Sequence, residues 1–413
     1  MCLDFIAVEA QLTALAASLA QGSMPKLPPA WVKGDWSPGP EKYGLEVDLD
    51  VPIEMSDGVV IRALVGYPTE PTSGERASGL FPVLLEQSPY HHRPTQDGIA
   101  ATVFALIARF FVARGYIYVS SQVRGTHNSG GEFGLASERE QEDGAELVEW
   151  AAHQLQGSSG RVGLTGCSYT GLNQYFTAAR VGKDSPVKAI APTGTGPDWY
   201  REPGFLGGIP TTTLEKALFE VWANTGTNSA VRFTHEVLAD FKAGGPKAFD
   251  GGFWQTRSAS RLIGRIVENQ IPALIMAYWR DYPTSPGEAY AMFQNAFAGR
   301  DLWAPMAPDQ AVTPRYQLIM GSEAHCAGRD GGAMAEATLR WFDTWLKGVD
   351  AGLEEGRPSL HLNDLDSDRW LSCGSYPPVS RYQTYYLRAD GRLDSTVPAG
   401  DCESDRLCYA APV

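Results

Sequence analysis

Long apolar runs are missing from this 413-residue chain, and so is any surplus of positive charge. A membrane-spanning helix needs about 20 consecutive apolar residues, and the most apolar helical stretch here, Val103 to Val112, is interrupted by Arg109. Lys and Arg total 34 against 48 Asp and Glu, for a formal charge of -14. That balance argues against a nucleic-acid groove or an anionic membrane surface as partner. Cysteines number six, at 2, 167, 326, 373, 402 and 408. They are too few in a chain of this length for a disulfide framework, so a reducing, cytoplasmic compartment is the default expectation. Cys402 and Cys408 are spaced to close a small loop if the protein is exported. Residues 1 to 20 are apolar, yet Asp4 and Glu9 stand where a signal peptide carries basic residues, and the stretch reads as an N-terminal helix. There is no H-E-x-x-H and no P-loop, and the pair His91-His92 lacks a third nearby ligand. No metal or other cofactor is expected.

What is present is Gly166-Cys-Ser-Tyr-Thr-Gly171, set between a β-type run, Arg161 to Thr165, and a helix-type run, Leu172 to Arg180. A strand, a tight turn carrying one serine and then a helix describe a nucleophile elbow, in which the hydroxyl projects clear of the sheet. The flanking glycines let neighbouring backbone pass without a Cβ clash. The amide of Tyr169 would then face a reacting carbonyl from a helix N-terminus, where partial positive charge stabilises an oxyanion. The spacing is G-x-S-x-x-G, not the commoner G-x-S-x-G, and a small-residue turn joining a strand to a helix is the bland alternative. Cys167 precedes the serine on the strand side, where its side chain should point into the fold as packing.

Chain order adds to this, because α/β-hydrolases supply Ser, then Asp or Glu, then His. Ile271 to Tyr278 is an apolar run followed by Trp279-Arg280-Asp281, and Arg315 to Gly321 is another, followed by Ser322-Glu323-Ala324-His325. Both place a chemically useful side chain at the carboxyl end of a strand, where catalytic groups of open α/β sheets collect. The candidate catalytic set is therefore Ser168, Asp281 and His325. Glu288, Asp301 and Asp309 compete with Asp281 without a strand-end context, and His361 competes with His325 but lies in the alternating run Ser359 to Asn363, an ordinary strand position.

Along the chain, residues 1–44 read as an arm, rich in Pro and Gly from 21 onward. Leu45 to Met55, Val59 to Tyr67 and Phe81 to Gln87 look like strands, with Asp57-Gly58 as a hairpin turn between the first two. Thr102 to Arg114 has helical spacing, Tyr116 to Val123 is β-type, Glu138 to His153 is helical and Val187 to Pro192 is a short strand. This alternation implies a mainly parallel, doubly wound sheet. The fold class is α/β: an α/β-hydrolase fold with a helical cap insertion and a short carboxyl-terminal β unit. Residues 45–198 and 269–352 form the two parts of the hydrolase core, and 199–268 form the cap, with helical spacing in Thr211 to Ala223 and Arg232 to Lys242. Cap aromatics (Trp199, Tyr200, Phe205, Phe219, Trp222, Phe253, Trp254) either line an acyl pocket or form an ordinary core. Ala333 to Lys347 is amphipathic and closes the sheet. Residues 353–413 carry short strands of a β domain; about sixty residues are fewer than a sandwich of around a hundred requires, so either the unit is abbreviated or its exposed edges are covered by another chain, as in a homo-oligomer.

These motifs resemble the cocaine-esterase/NonD family of serine hydrolases, which includes α-amino-acid ester hydrolases and X-Pro dipeptidyl-peptidases. The resemblance rests on Met55-Ser-Asp-Gly-Val59, Phe81-Pro-Val-Leu-Leu-Glu-Gln-Ser-Pro-Tyr90, Gln122-Val-Arg-Gly-Thr-His-Asn-Ser-Gly-Gly-Glu-Phe133, the elbow, and Arg340-Trp-Phe-Asp-Thr-Trp-Leu-Lys-Gly348. It implies Ser168 as nucleophile, Asp281 as orienter and His325 as base, with the Tyr90 phenol and the Tyr169 amide as oxyanion donors. It also implies a carboxyl-terminal jelly roll. Tyr90 has independent sense, since it follows the strand Phe81 to Gln87 and would emerge at the catalytic edge. The chain departs from the family at Gln122, where Asp is usual, at Tyr278-Trp-Arg-Asp281, where Gly-Trp-Tyr-Asp is often found, and at Gly321-Ser-Glu-Ala-His325, which lacks the usual tryptophan beside the base. His91, Trp222, Trp279 and Glu323 are the candidate substrate contacts.

Three functions stay open at this point. A serine hydrolase would cleave a small-molecule ester or amide through an acyl-enzyme. An X-Pro dipeptidyl-peptidase or aminoacyl amidase would need a carboxylate for the substrate ammonium, with Glu215, Glu220 and Glu236 available in the cap. A binding protein on a hydrolase fold would have no turnover.

Overall fold

The computed structural model describes residues 27–32, 34–90, 99–211, 227–281, 286–323, 325–326, 332–353, 357–379, 381, 383–388 and 392–397. Ten strands form one sheet: β1 (Gly44–Glu54), β2 (Val60–Thr69), β3 (Phe81–Ser88), β4 (Ile117–Gln122), β5 (Ser158–Cys167), β6 (Val187–Thr193), β7 (Ala273–Tyr278), β8 (Tyr316–Gly321), β9 (Leu360–Asp364) and β10 (Arg369–Cys373). Their spatial order is β1-β2-β4-β3-β5-β6-β7-β8-β9-β10. Every pairing from β4 to β9 is parallel, while β1 with β2, β2 with β4 and β9 with β10 are antiparallel.

The sequence pattern explains the central strands. β3, β7 and β8 are buried along their whole length, and a strand covered on both faces must be a near-continuous apolar run. Their alternate side chains serve two cores. Val83 and Leu85 of β3 join Leu147, Val148, Leu172, Phe176, Tyr290 and Phe293, contributed by α2 (Glu138–His153), α3 (Tyr169–Arg180) and α5 (Pro286–Phe297). Leu84 joins Phe104, Ala108, Leu339, Trp341 and Phe342 on the opposite face, contributed by α1 (Ile99–Val112) and α6 (Ala333–Lys347). The period-two geometry of a strand thus builds a sheet clad by helices on both sides. At the β1–β2 hairpin, Gly58 takes φ +78°, a conformation glycine supplies without a steric penalty, and its amide donates to the Met55 carbonyl at 2.8 Å.

The winding direction changes at β3, which lies between β4 and β5. Tyr90 follows β3 and Ser168 follows β5, so both emerge beside the switch point, where open α/β sheets leave a crevice. Among the cap residues, α4 (Asn228–Ala243) packs over an aromatic cluster of Phe133, Tyr169, Phe205 and Trp254. Tyr200 stacks on Phe205 with ring centroids 4.3 Å apart, and Phe205 meets Trp254 edge-on. Phe205 and Trp254 are core, holding the cap to the elbow. The expected helix over 211–223 lies outside the described residues except at Thr211, as do Phe219 and Trp222.

Two features differ from the sequence expectation. Leu360–Asp364 and Arg369–Cys373, expected in a separate β unit, extend the main sheet as β9 and β10. Alternation identifies a strand but carries no information about its partner. In the carboxyl-terminal segment, Tyr386–Leu387 and Leu393–Asp394 pair apart from that sheet as two antiparallel strands. Helix α5 was not anticipated from its mixed Pro, Gly and aromatic composition. The arm is anchored in part by Trp31, whose indole donates to the Gln317 side chain at 2.6 Å, and by Arg340, which donates to the Trp31 carbonyl at 2.6 Å and stacks its cation over the Trp31 and Trp36 rings. No helix among the described residues is long and apolar enough to cross a membrane.

Candidate active site

Ser168 is held at φ 63° and ψ -125° between β5 and α3. This is a region that L-residues avoid, at a cost of about 1–3 kcal/mol, and the surrounding backbone enforces it. The Ser168 amide donates to the Thr193 carbonyl at 2.9 Å, and the Ser168 carbonyl accepts from Gly171 and Leu172, each at 2.9 Å. The glycines have the reason that the sequence suggested. A Cβ on Gly166 would fall 2.2 Å from the Thr170 hydroxyl, and one on Gly171 would fall 2.7 Å from the Thr193 carbonyl oxygen.

The Tyr90 phenol lies 3.3 Å from the Ser168 hydroxyl. The Tyr90 ring packs edge-on against Tyr169, and His127 Nε2 lies 3.1 Å from the Pro89 carbonyl, fixing the segment that presents Tyr90. Gln122, at the position where Asp is usual in the resembling family, accepts from the Asn128 amide at 3.0 Å. Arg124 forks onto Asp143 at 2.5 and 2.6 Å, so that turn keeps an ion pair of its own.

A buried carboxylate that sequence reading missed completes this side. Ser137-x-x-Glu140 has the form of a capping box, and the Ser137 hydroxyl does accept from the Glu140 amide. The Glu140 carboxylate, however, accepts from the Tyr169 phenol at 2.6 Å and from the Ala136 amide at 2.9 Å. Burial pushes its pKa up to about 7, with the nearby Asp143 charge adding to the rise. Burial likewise lifts the Tyr169 phenol well above its ordinary value.

Across the crevice, His325 Nδ1 lies 2.9 Å from Asp281 Oδ2 and 2.8 Å from Oδ1. The Asp281 side chain is only 1% exposed whereas that of His325 is 42% exposed. The base candidate therefore faces solvent with its partner beneath it. The competing His361 is a core residue: its Nδ1 lies 2.9 Å from the Ser372 hydroxyl, and burial lowers its pKa to about 4.

Cys167 and Cys326 form a disulfide with Cα atoms 5.8 Å apart. The sequence expectation for Cys167 was structural packing with the side chain pointing into the fold. The side chain is buried, but it is bonded to the residue that follows His325. A spacing of 159 residues gives no local signal of such a pairing; the clue would have been that a cysteine adjoins each catalytic candidate. Since consecutive Cα atoms are about 3.8 Å apart, the bond limits Ser168 and His325 to a Cα separation of roughly 13 Å. Cys402 and Cys408 lie outside the described residues.

The substrate-contact candidates divide. Trp279 donates its indole N–H to the Asn363 carbonyl at 2.7 Å, so it is held against the end of β9. Glu323 is partly buried, and burial raises its carboxyl pKa. His91 and Trp222 lie outside the described residues.

The family model for X-Pro dipeptidyl-peptidases of the S15 family matches residues 57–327. The chain belongs to the S15 family. A Mycobacterium bovis protein whose name assigns it as a serine esterase is 28% identical over 422 residues, covering 85% of this chain and 64% of its own length. This S15 chain thus spans about 64% of that relative. A CocE/NonD family hydrolase from Staphylococcus aureus superposes with a TM-score of 0.61 at 21% identity, covering 85% of this chain and 60% of the other. An α-amino acid ester hydrolase superposes with a TM-score of 0.59 at 16% identity, covering 92% and 67%. These likenesses show the α/β-hydrolase fold and match the resemblance read from the motifs.

Proposed function

We propose that this S15-family chain is a serine hydrolase that cleaves a carboxylic ester of a small molecule through an acyl-enzyme. The observation that carries the reading is the Tyr90 phenol 3.3 Å from a serine hydroxyl on a turn of disfavoured backbone geometry. A strained serine beside a second hydroxyl has no packing purpose, but it suits a nucleophile next to an oxyanion donor. His325 takes the Ser168 proton while Asp281 holds the imidazole in the tautomer with hydrogen on Nδ1. Ser168 attacks the carbonyl carbon, and the developing oxyanion accepts from the Tyr90 hydroxyl and the Tyr169 amide. Collapse expels the alcohol with the proton returned by His325, and water repeats the sequence to release the acid. Esters are favoured over amides because an alkoxide leaves more readily than an amine anion.

The family description favours a second reading, cleavage after an amino-terminal dipeptide. It requires a carboxylate to hold the substrate ammonium. Glu236 is exposed on α4, Glu215 and Glu220 lie outside the described residues, and Glu323 is the half-buried carboxylate two residues from His325. Paired p-nitrophenyl esters and aminoacyl-proline anilides separate the two readings. Fluorophosphonate labelling tests their common basis. Stoichiometric label on the wild type, lost in Ser168→Ala, is expected; an unlabelled folded protein would leave a hydrolase fold used for binding.

A further inference from the structure

The space beneath the base candidate has a composition that acyl transfer does not require. Cys167 Sγ, Cys326 Sγ and a ring nitrogen of His325 lie within 4.8 Å of one another. Gly194 closes the same space from below, at φ +55°. The point where a Cβ on Gly194 would stand is 2.8 Å from Cys167 Sγ, 3.2 Å from Asp281 Oδ2 and 3.3 Å from His325 Nδ1. Two sulfurs, an imidazole nitrogen and a carboxylate oxygen thus converge around a position that only glycine leaves open.

We propose that the dithiol form of this protein holds a soft divalent cation, Zn²⁺ by chemistry, on Cys167, Cys326 and His325. In the disulfide form the sulfurs are bonded to each other and are not thiolates, so the site is closed. Thiol-disulfide exchange with a dithiol reductant opens it. The Sγ–Sγ bond breaks, two electrons and two protons pass to the cysteine sulfurs, and the reductant closes to its own disulfide. Zinc then displaces both thiol protons. Zinc–sulfur bonds of about 2.3 Å and zinc–nitrogen bonds of about 2.0–2.1 Å in a tetrahedron put sulfur and nitrogen roughly 3.5 Å apart and the two sulfurs roughly 3.8 Å apart, so the sulfurs must part on reduction while all three ligand atoms already lie within 4.8 Å of one another. The exposed His325 edge provides the entry path, and Asp281 Oδ2 stands as the adjacent oxygen ligand.

The consequence for turnover rests on the proposed hydrolase function. A metal on Nδ1 takes the place of the proton that Asp281 accepts, and the remaining ring hydrogen must then sit on Nε2. An Nε2–H can donate toward Ser168 but cannot accept its proton. The zinc form is silent, whereas both metal-free forms, disulfide and dithiol, keep a working base.

The test uses Co²⁺ as a spectroscopic probe and Zn²⁺ as the inhibitor. The protein is reduced with a phosphine, which with one water yields the same two thiols and the phosphine oxide, the water supplying the oxygen and both thiol protons, and is then desalted. Reduced wild type should bind one Co²⁺ per chain with a thiolate-to-cobalt charge-transfer band that Zn²⁺ displaces. The band should be absent from the oxidised protein and from reduced Cys326→Ser, and His325→Ala should weaken Co²⁺ binding at least tenfold. One equivalent of Zn²⁺ should lower p-nitrophenyl ester turnover of the reduced wild type at least tenfold, reversibly with a chelator, and leave the oxidised protein unaffected. No band in the reduced wild type, or the same band in Cys326→Ser, overturns the site. A full band with unchanged turnover overturns the silencing. If no form turns over ester or takes a fluorophosphonate label, the hydrolase reading fails separately, and the cobalt band still decides the site.

Discussion

The Glu140 carboxylate accepts a 2.6 Å hydrogen bond from the phenol of Tyr169, the residue next to Ser168 in the elbow. The Tyr169 ring in turn packs against Tyr90 and Trp199. One buried acid therefore sits behind both proposed oxyanion donors and the cap.

Glu140 should make stability depend on pH. Its folded pKa, about 7, is raised above the ordinary 4.5, so the native state favours the protonated acid. That preference is fully present below about pH 4.5 and is lost as pH rises through about 7. Chemical denaturation of the wild type at pH 5 and pH 8 should show a decline of about 1–3 kcal/mol that is absent from Glu140→Gln. Parallel pH profiles for the two proteins would rule Glu140 out as the source.

Tyr90→Phe removes one oxyanion donor while keeping the ring that packs on Tyr169. Ester turnover should fall on the order of 10²- to 10³-fold, with fluorophosphonate labelling of Ser168 retained. Unchanged turnover would place the phenol outside the mechanism.

Asp281→Asn keeps the shape beneath His325 but presents an amide that can donate to Nδ1 and so favours the wrong tautomer. Turnover should drop by about 10⁴-fold, with the melting temperature close to wild type. A fall of less than tenfold would mean that another group orients the imidazole.

Gly171→Ala tests the close approach of α3 to β6. Its methyl would lie 2.7 Å from the Thr193 carbonyl oxygen, whose partner is the Ser168 amide. A loss of about 1–3 kcal/mol is expected from overpacking, together with reduced fluorophosphonate labelling because the elbow itself must shift. A variant as stable and as readily labelled as wild type would show that the backbone yields at no consequence to Ser168.

How much of this was legible depends on whether the signal is local. The central strands were read to within a few residues because double-sided burial forces continuous apolar runs, and the elbow was read because its glycines are needed within five residues of the serine. Asp281 was nominated, and paired with His325 in the structure, because each follows such a run. Glu140 was missed: its place in the Ser137-x-x-Glu140 pattern is that of a helix-cap acid, its actual partner lies 29 residues away, and nothing in a capping pattern reports that. Strands β9 and β10 were recognised as strands and assigned to the wrong neighbours, since side-chain alternation is the same whichever sheet a strand joins.

The sequence by itself determined the layered α/β architecture, the serine turn and the order of the chemical groups, because periodicity, glycine placement and strand ends act over a few residues. Tertiary structure alone decided that Cys167 bonds Cys326, that Tyr90 reaches Ser168, and that sulfur, imidazole and carboxylate meet above Gly194. Those are distances between strand ends, set by how a twisted sheet orders its strands in space, and a linear spacing of 159 residues does not encode them.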